Sequence, residues 1–268
     1  MRICTWNINS VRLRRNAVER LLNEHEPDIL CLQEIKVTNE LFPQNIGEGL
    51  GYNHQHVHGQ KGYHGVAFLS RLPFSESKTR HWCGRKESRH AWVTVKPRND
   101  RRPIEVHNFY VPAGGDVPDP EENEKFAHKL QFLDEMANWF TKRYDQNNRF
   151  VLLGDLNVAP LETDVWSHKQ LLKVVSHTPV EVNALDNVYT SHDWVDAVRH
   201  FVPEEEKLFS WWSYRARDWE TADRGRRLDH VWVTPALRNS LNSAAVLKSV
   251  RRWEQPSDHA PVMVELDF

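Results

Sequence analysis

Cysteine is scarce in this chain of 268 residues: Cys4, Cys31 and Cys83 stand far apart, with no C-x-x-C spacing. That excludes a disulfide framework and a cysteine-based zinc site. Two of the three sit in apolar runs and read as core, and a reducing compartment suits them. Long hydrophobic runs are missing too. No stretch approaches the 18 apolar residues of a membrane span, and the opening MRICTWNINS has no signal-peptide apolar segment. With the first strand expected from residue 2, no room is left for a targeting extension, and the expectation is a cytoplasmic protein with no membrane partner. Nor is there a surplus of charge: 35 Lys and Arg against 37 Asp and Glu leave a net −2. If nucleic acid is the partner, basic residues must be gathered locally. Repeats, low-complexity tracts and linker-like composition are absent. VPAGGDVPDP (111–120) reads as a loop, and residues 1–268 as a single domain large enough to bury a sizeable core.

Tryptophan is abundant, at 11 residues, and apolar runs of strand length recur. RICTW (2–6), DILCLQ (28–33), GVAFLS (65–70), HAWVTV (90–95), IEVHNFYV (104–111), RFVLLG (149–154), LDHVWVT (228–234) and PVMVEL (261–266) are rich in β-branched and aromatic residues and bounded by turn formers. Helical spacing lies between some of them. Val11, Val18, Leu21 and Leu22 share a face after Ser10, an expected N-cap, and this helix stops before Pro27. A second is expected over 122–144, with Phe126, Leu130, Leu133, Ala137 and Phe140 as its buried stripe and acids at its positive end. A third is expected around 181–189. Many strands with few, scattered helices predict an α/β (α+β) chain: two packed sheets with helices outside, not a strict βαβ alternation.

The acids fall where strands end. Glu34 follows DILCLQ, Asp155 follows RFVLLG, Asp229 opens a strand, and Asp258 and His259 precede the last one. Asn7 closes the first strand, Asn157 lies two residues past Asp155, and Tyr110 ends IEVHNFY. Any one of these is an ordinary turn former or cap. Together they place polar groups at one rim of a sheet. Clustered carboxylates repel unless a cation neutralises them. Oxygen donors without cysteine favour Mg²⁺, with Mn²⁺ as a substitute, over Zn²⁺. The set therefore points to metal-assisted phosphoester hydrolysis, in which an acid or histidine prepares a water.

TWNINSVR, LQEIK, GQKGYHGVA, YVPAGG, GDLNVAP, FSWWSYR, RGRRLDHVWV and PSDHAPV resemble, in order, the motifs of the bacterial exonuclease III family within the endonuclease/exonuclease/phosphatase superfamily. The resemblance runs from residue 3 to residue 266. It implies a four-layer αββα sandwich, two mixed sheets face to face with helices outside and the site at one end. It also implies Mg²⁺-dependent cleavage of DNA phosphodiesters in base-excision repair: 3′→5′ exonuclease action on duplex DNA, removal of 3′ phosphates, and incision at abasic sites. By the same resemblance Glu34 is the main metal ligand, with Asn7 and Asp258 near the ion. Asp155 orients or deprotonates water, and Asn157 holds phosphate or water. His259 faces the scissile phosphate with Asp229 behind it, and Tyr110 bonds the phosphate or the attacking group. Asp155 and His259 both remain open as the base.

For DNA itself, Arg215 and Arg217 interleave with Trp211, Trp212, Tyr214 and Trp219, followed by Arg224, Arg226 and Arg227. Basic residues beside aromatics suit phosphate contact and stacking, largely independent of sequence. The blander alternative is a surface loop over core tryptophans. The resemblance makes Trp211, Trp212 and Leu228 the lining of a sugar pocket, and Gln60, Lys61 and Tyr63 backbone contacts. Arg12, Arg14 and Arg15 read as a second basic group or simply the solvated face of the first helix. The chain departs from the family pattern at Ala113, where many members carry a side-chain amide, and over 161–185, where Trp166, His168 and His177 are unusual. Those three read first as packing, with crowding of an abasic-sugar pocket as the alternative. The expected partner is double-stranded DNA with 3′ ends or abasic sites, and the expected state a monomer. A superfamily phosphatase acting on a phosphoinositide or nucleotide, and a member specialised for 3′ ends with weak abasic incision, are the competing readings.

Overall fold

The computed structural model describes residues 1–100, 102–216 and 218–268. In chain order the elements are β1 (Arg2–Asn7), α1 (Arg15–His25), β2 (Ile29–Gln33), β3 (His54–His58), β4 (Val66–Ser70), β5 (Phe74–Thr79), β6 (His90–Val95), β7 (Ile104–Tyr110), α2 (Glu124–Thr141), β8 (Phe150–Asp155), α3 (His168–Leu171), α4 (Pro179–Thr190), β9 (Val195–Asp196), β10 (Trp211–Trp212), α5 (Trp219–Ala222), β11 (Gly225–Arg226), β12 (Asp229–Val233), β13 (Leu241–Val246) and β14 (Val262–Leu266). Two six-stranded sheets form, in the orders β13-β14-β1-β2-β4-β3 and β5-β6-β7-β8-β12-β9, with β10-β11 as a separate ribbon. Both are mixed: β1–β2 and β7–β8 run parallel, and the remaining pairs antiparallel.

Side-chain alternation sorts the core into layers. Ile3, Ile29, Cys31, Val106, Val151, Leu153, Val231 and Val264 pack between the sheets. Cys4, Trp6, Leu30 and Leu32 point the other way, onto Val18, Leu21 and Leu22 of α1. Phe109, Leu152 and Trp232 meet Phe132, Leu133 and Phe140 of α2 and Leu185 and Val188 of α4. This is the expected αββα order. The same parity carries Asn7, Tyr110, Asp155 and Asp229 onto the inner faces at the rim. Just beneath them the apolar layer gives way to Thr5, Gln33 and Asn108: Gln33 donates to Thr5 Oγ1 (2.9 Å) and Asn108 Oδ1 (2.7 Å).

The eight expected strands all form. The strands the sequence pattern did not reveal are β3, β5, β9 and β13, together with the β10–β11 ribbon. The first four are the sheet edges, where exposed polar side chains suppress an apolar signal and guard against strand addition. Helix α1 starts later than expected. Ser10 takes a left-handed backbone (φ 88°) and does not cap it; Arg14 precedes the first turn without a side-chain cap. In α2, Leu130 and Ala137 are only half-buried, and Lys129 and Met136 are buried instead. Helix α4 starts at Pro179, just before the expected span, under a capping box of Thr178 and Glu181.

Candidate active site

Three of the rim residues come from paired strand ends. Asp229 of β12 lies opposite Asp155 of β8, and Tyr110 of β7 lies beside Asp155 on its other flank. Gly154 permits the last pairing: a Cβ there would sit 2.0 Å from the Phe109 carbonyl oxygen. Glu34 and Asn157 each follow a strand with a left-handed backbone (φ 49° and 55°), a conformation that costs a non-glycine residue free energy and is over-represented at functional sites. The Glu34 carbonyl accepts the Ser10 N–H at 2.8 Å.

Asn7 joins the sheets. Its Nδ2 donates to Glu34 Oε1 at 2.9 Å and to Asp155 Oδ2 at 2.8 Å, while its Oδ1 accepts the Asn9 N–H. Expected near a metal, Asn7 turns its nitrogen to the carboxylates and links them. Lys36 lies 2.8 Å from Glu34 Oε2. Burial would raise the Glu34 pKa, but Lys36 and Asn7 hold it below its ordinary value. Asp258 behaves alike: burial opposes its charge, yet His259, Trp211 Nε1 (3.0 Å) and Asn9 Nδ2 (3.1 Å) keep it ionised.

His259 Nδ1 lies 2.8 Å from Asp229 Oδ2, which also accepts Ser210 Oγ–H at 2.6 Å. The other ring nitrogen is 3.8 Å from Asp155 Oδ2. Burial alone would favour the neutral imidazole. Asp229 and Asp155 outweigh it, and the His259 pKa rises to about 10. Burial and the neighbouring Asp229 raise Asp155 to about 7, against the pull of His259. Tyr110 is held well above its ordinary value by burial and by the charges of Glu34 and Asp155. Asn157 is fixed by its own Nδ2 on the Val111 carbonyl (2.9 Å), and its N–H donates to Asp155 Oδ1 (3.0 Å).

A cleft of about 740 Å³ opens over these groups, walled by Trp166, Val175, Trp211, Arg215, Arg226 and Leu228, with Ala113 at its edge. Arg224 stacks on Trp166 at 4.8 Å and Arg226 on Trp211 at 5.3 Å. Trp212 is a correction. It is 1% exposed and packs with Phe209 and Ala260, its indole donating to Asp223, because adjacent strand residues face opposite sides. Arg14 is another: it is buried, donating to the Gln255 carbonyl and the Tyr214 hydroxyl, so it pins the segment before Ser257 and is no part of a solvated face. Gln60 accepts the Ser88 N–H, while Lys61 and Tyr63 are exposed beside it. Tyr63 connects through His64 to Tyr110 in ring contacts of 6.0 Å each. His168 and His177 bond each other at 2.8 Å and do not line the cleft; Trp166 does. Arg217 lies outside the described residues. The site residues missed in the sequence are Lys36 and Ser210, both inside quoted motifs but without a pattern of their own.

The endonuclease/exonuclease/phosphatase family model matches residues 4–259. The chain belongs to that family. It is 30% identical over 271 residues to the exodeoxyribonuclease III of Haemophilus influenzae, covering 99% of both proteins. Among solved structures, a Neisseria 3′ phosphatase, NExo, bound to a product DNA hairpin matches with a TM-score of 0.90 and 30% identity. An AP endonuclease from Archaeoglobus fulgidus matches with a TM-score of 0.90 and 31% identity. Both alignments cover 100% of each chain.

The donor set suits a hard divalent ion. Glu34 and Asp258 are ionised despite burial, both offer carboxylate oxygens to the cleft, and no cysteine lines it. Asp155, Asp229 and His259 also present ligand atoms within 4.8 Å of one another, but His259 already bonds Asp229. Among the described residues, no helix is long and apolar enough to cross a membrane.

Proposed function

We propose that this protein is a Mg²⁺-dependent nuclease that hydrolyses phosphodiesters at the 3′ ends of double-stranded DNA and removes 3′ phosphates in base-excision repair, as a cytoplasmic monomer. One observation carries the reading: the His259 imidazole, bonded to Asp229 through Nδ1, turns its other nitrogen to the Asp155 carboxylate 3.8 Å away, under a cleft walled by arginine-stacked tryptophans.

Glu34 and Asp258 would hold the ion, with Asn7 beside them. A bound divalent ion polarises the phosphoryl oxygen and stabilises the departing sugar oxygen. Asp155 is the base: it takes a proton from water as the water oxygen bonds phosphorus and the phosphorus–sugar oxygen bond breaks. His259 is ill suited to that task because Asp229 keeps it protonated; it donates to the phosphoryl oxygen as charge builds there. Tyr110 and Asn157 flank Asp155 and orient phosphate and water. Arg215, Arg226 and exposed Lys61 meet backbone phosphates, with Gln60 and Tyr63 alongside, and Trp211 and Leu228 receive the terminal sugar. Because those contacts neutralise phosphates, binding weakens steeply with salt despite the acidic total.

Digestion of a 3′-recessed duplex with and without EDTA tests the reading, alongside 3′-phosphate, abasic and phosphoinositide substrates. Asp155→Asn and His259→Ala should each slow DNA hydrolysis about 10²–10⁴-fold. Near-normal rates in both, or turnover of the phosphoinositide alone, would overturn it. A second reading, weak incision at abasic sites, is favoured by Trp166 in the cleft wall beside Val174–Ser176. Abasic incision as fast as 3′-phosphate removal would sink it.

A further inference from the structure

Lys129 of α2 and Glu181 of α4 form an ion pair with both side chains at 0% exposure. A buried lysine costs folding free energy and usually adds little net stability even when paired. Here neither group stops at its partner. Lys129 Nζ also donates to the Asn157 carbonyl (2.8 Å) and reaches the Ala113 carbonyl (3.4 Å). Glu181 accepts the Ser176 N–H on both oxygens (3.0 and 2.9 Å), the Thr178 N–H (3.2 Å) and the Thr178 hydroxyl (2.6 Å). Arg226 of the cleft wall then donates to the Val175 carbonyl (3.0 Å) and Ser176 Oγ (2.8 Å). Gly114 packs on the lysine stem: a Cβ there would lie 3.0 Å from Lys129 Cδ.

We propose that the buried Lys129–Glu181 pair is a positioning device that fixes three separate segments of the site, around Ala113, Asn157 and Ser176, against one point behind the cleft. None of those segments is held by sheet pairing: each leaves a strand or precedes a helix. Ala113 and Asn157 follow the strand ends bearing Tyr110 and Asp155, whereas Ser176 carries the wall that seats Arg226. Lys129 and Glu181 touch neither substrate nor reacting atoms; they act through the backbone they hold. Displacements near 1 Å at such groups cost about 10²-fold in rate.

This role rests on the nuclease reading, and its test has an arm that does not. Lys129→Met with Glu181→Gln removes both charges together, so no unpaired charge is buried. The double variant should unfold near the wild-type temperature, yet kcat on a 3′-recessed duplex should fall about 10–100-fold with KM within about threefold. Lys129→Arg, which keeps a buried donor, should recover most of that loss. If the double variant does not fold, Glu181→Asp keeps the charges and draws Nζ from Asn157; its kcat should fall about 10-fold. Hydrogen exchange read by mass spectrometry is the arm independent of catalysis: peptides over 111–116, 155–158 and 174–178 should exchange faster in whichever variant folds. Unchanged exchange there, or wild-type kcat in that variant, overturns the proposal. A wild-type protein inactive on DNA but loosened at those segments by the substitutions would instead condemn the nuclease reading.

Discussion

Asn7 and Asp155 lie in different sheets and are joined by a 2.8 Å hydrogen bond from Nδ2 to Oδ2, while the same nitrogen holds Glu34 Oε1 at 2.9 Å. One uncharged side chain thus sets the spacing between the carboxylate assigned to the ion and the carboxylate assigned to water. Asn7 is itself fully buried, and its carbonyl accepts Ser257 Oγ–H at 2.6 Å, which ties the last loop to the same point.

Asn7→Ala should therefore leave two neighbouring carboxylates without their shared donor. Their repulsion and freedom of movement should lower kcat on duplex DNA about 10²-fold, and the Mg²⁺ concentration giving half-maximal rate should change. Steady-state kinetics across a Mg²⁺ titration checks this; an unaltered kcat would leave the bridge without a role.

The Asp229–His259 bond should set the alkaline limit of activity. His259, raised to about 10, loses its proton only above that pH, so activity should persist well past neutrality. In Asp229→Asn the main group opposing burial is gone. The imidazole pKa falls and the alkaline limb of kcat against pH should move to lower pH, with a lower maximum as well. A limb that stays in place would assign it to another group.

Buried histidines make the fold sensitive to acid. His230 is fully buried, accepts from Arg227 at Nδ1, donates from Nε2 to the Val158 carbonyl, and is lowered to about 4 by burial and by Arg227. His90 and His107 stack on each other and are pushed down chiefly by burial. A folded pKa below the unfolded one means that the unfolded chain binds more protons between the two values. The contribution is present above about pH 6.5 and lost as pH falls toward about 4, with His230 alone accounting for about 3 kcal/mol. Because the raised Asp155 acts in the opposite direction between pH 7 and pH 5, the loss should show in denaturant unfolding at those two pH values as the difference between wild type and His230→Asn.

Adjacent tryptophans should separate binding from stability. Trp211→Ala removes a cleft wall and the stacking partner of Arg226, so DNA affinity should fall by about 1–3 kcal/mol with little change in unfolding. Trp212→Ala empties a site 1% exposed, and should cost about 3–5 kcal/mol of stability instead. Equal effects of the two on both measurements would contradict the opposed orientation.

The chain by itself determined the inner strands, because buried runs such as DILCLQ and RFVLLG must be apolar to fill the space between layers. It also determined which polar groups sit at the ends of those strands: alternation along β1, β7, β8 and β12 fixes the face of Asn7, Tyr110, Asp155 and Asp229 once the apolar positions are known. Only the tertiary structure decided the rest. The edge strands β3, β5, β9 and β13 carry a weak pattern because solvent covers one side of them. Whether Trp211 or Trp212 meets the cleft depends on which face of a two-residue strand pairs near His259, and that pairing joins residues 48 positions apart in the chain. Lys129 reads as a surface cation until Glu181 is brought to it from another helix. A burial that costs free energy for either residue alone becomes acceptable only where both meet, and local sequence carries no trace of that meeting.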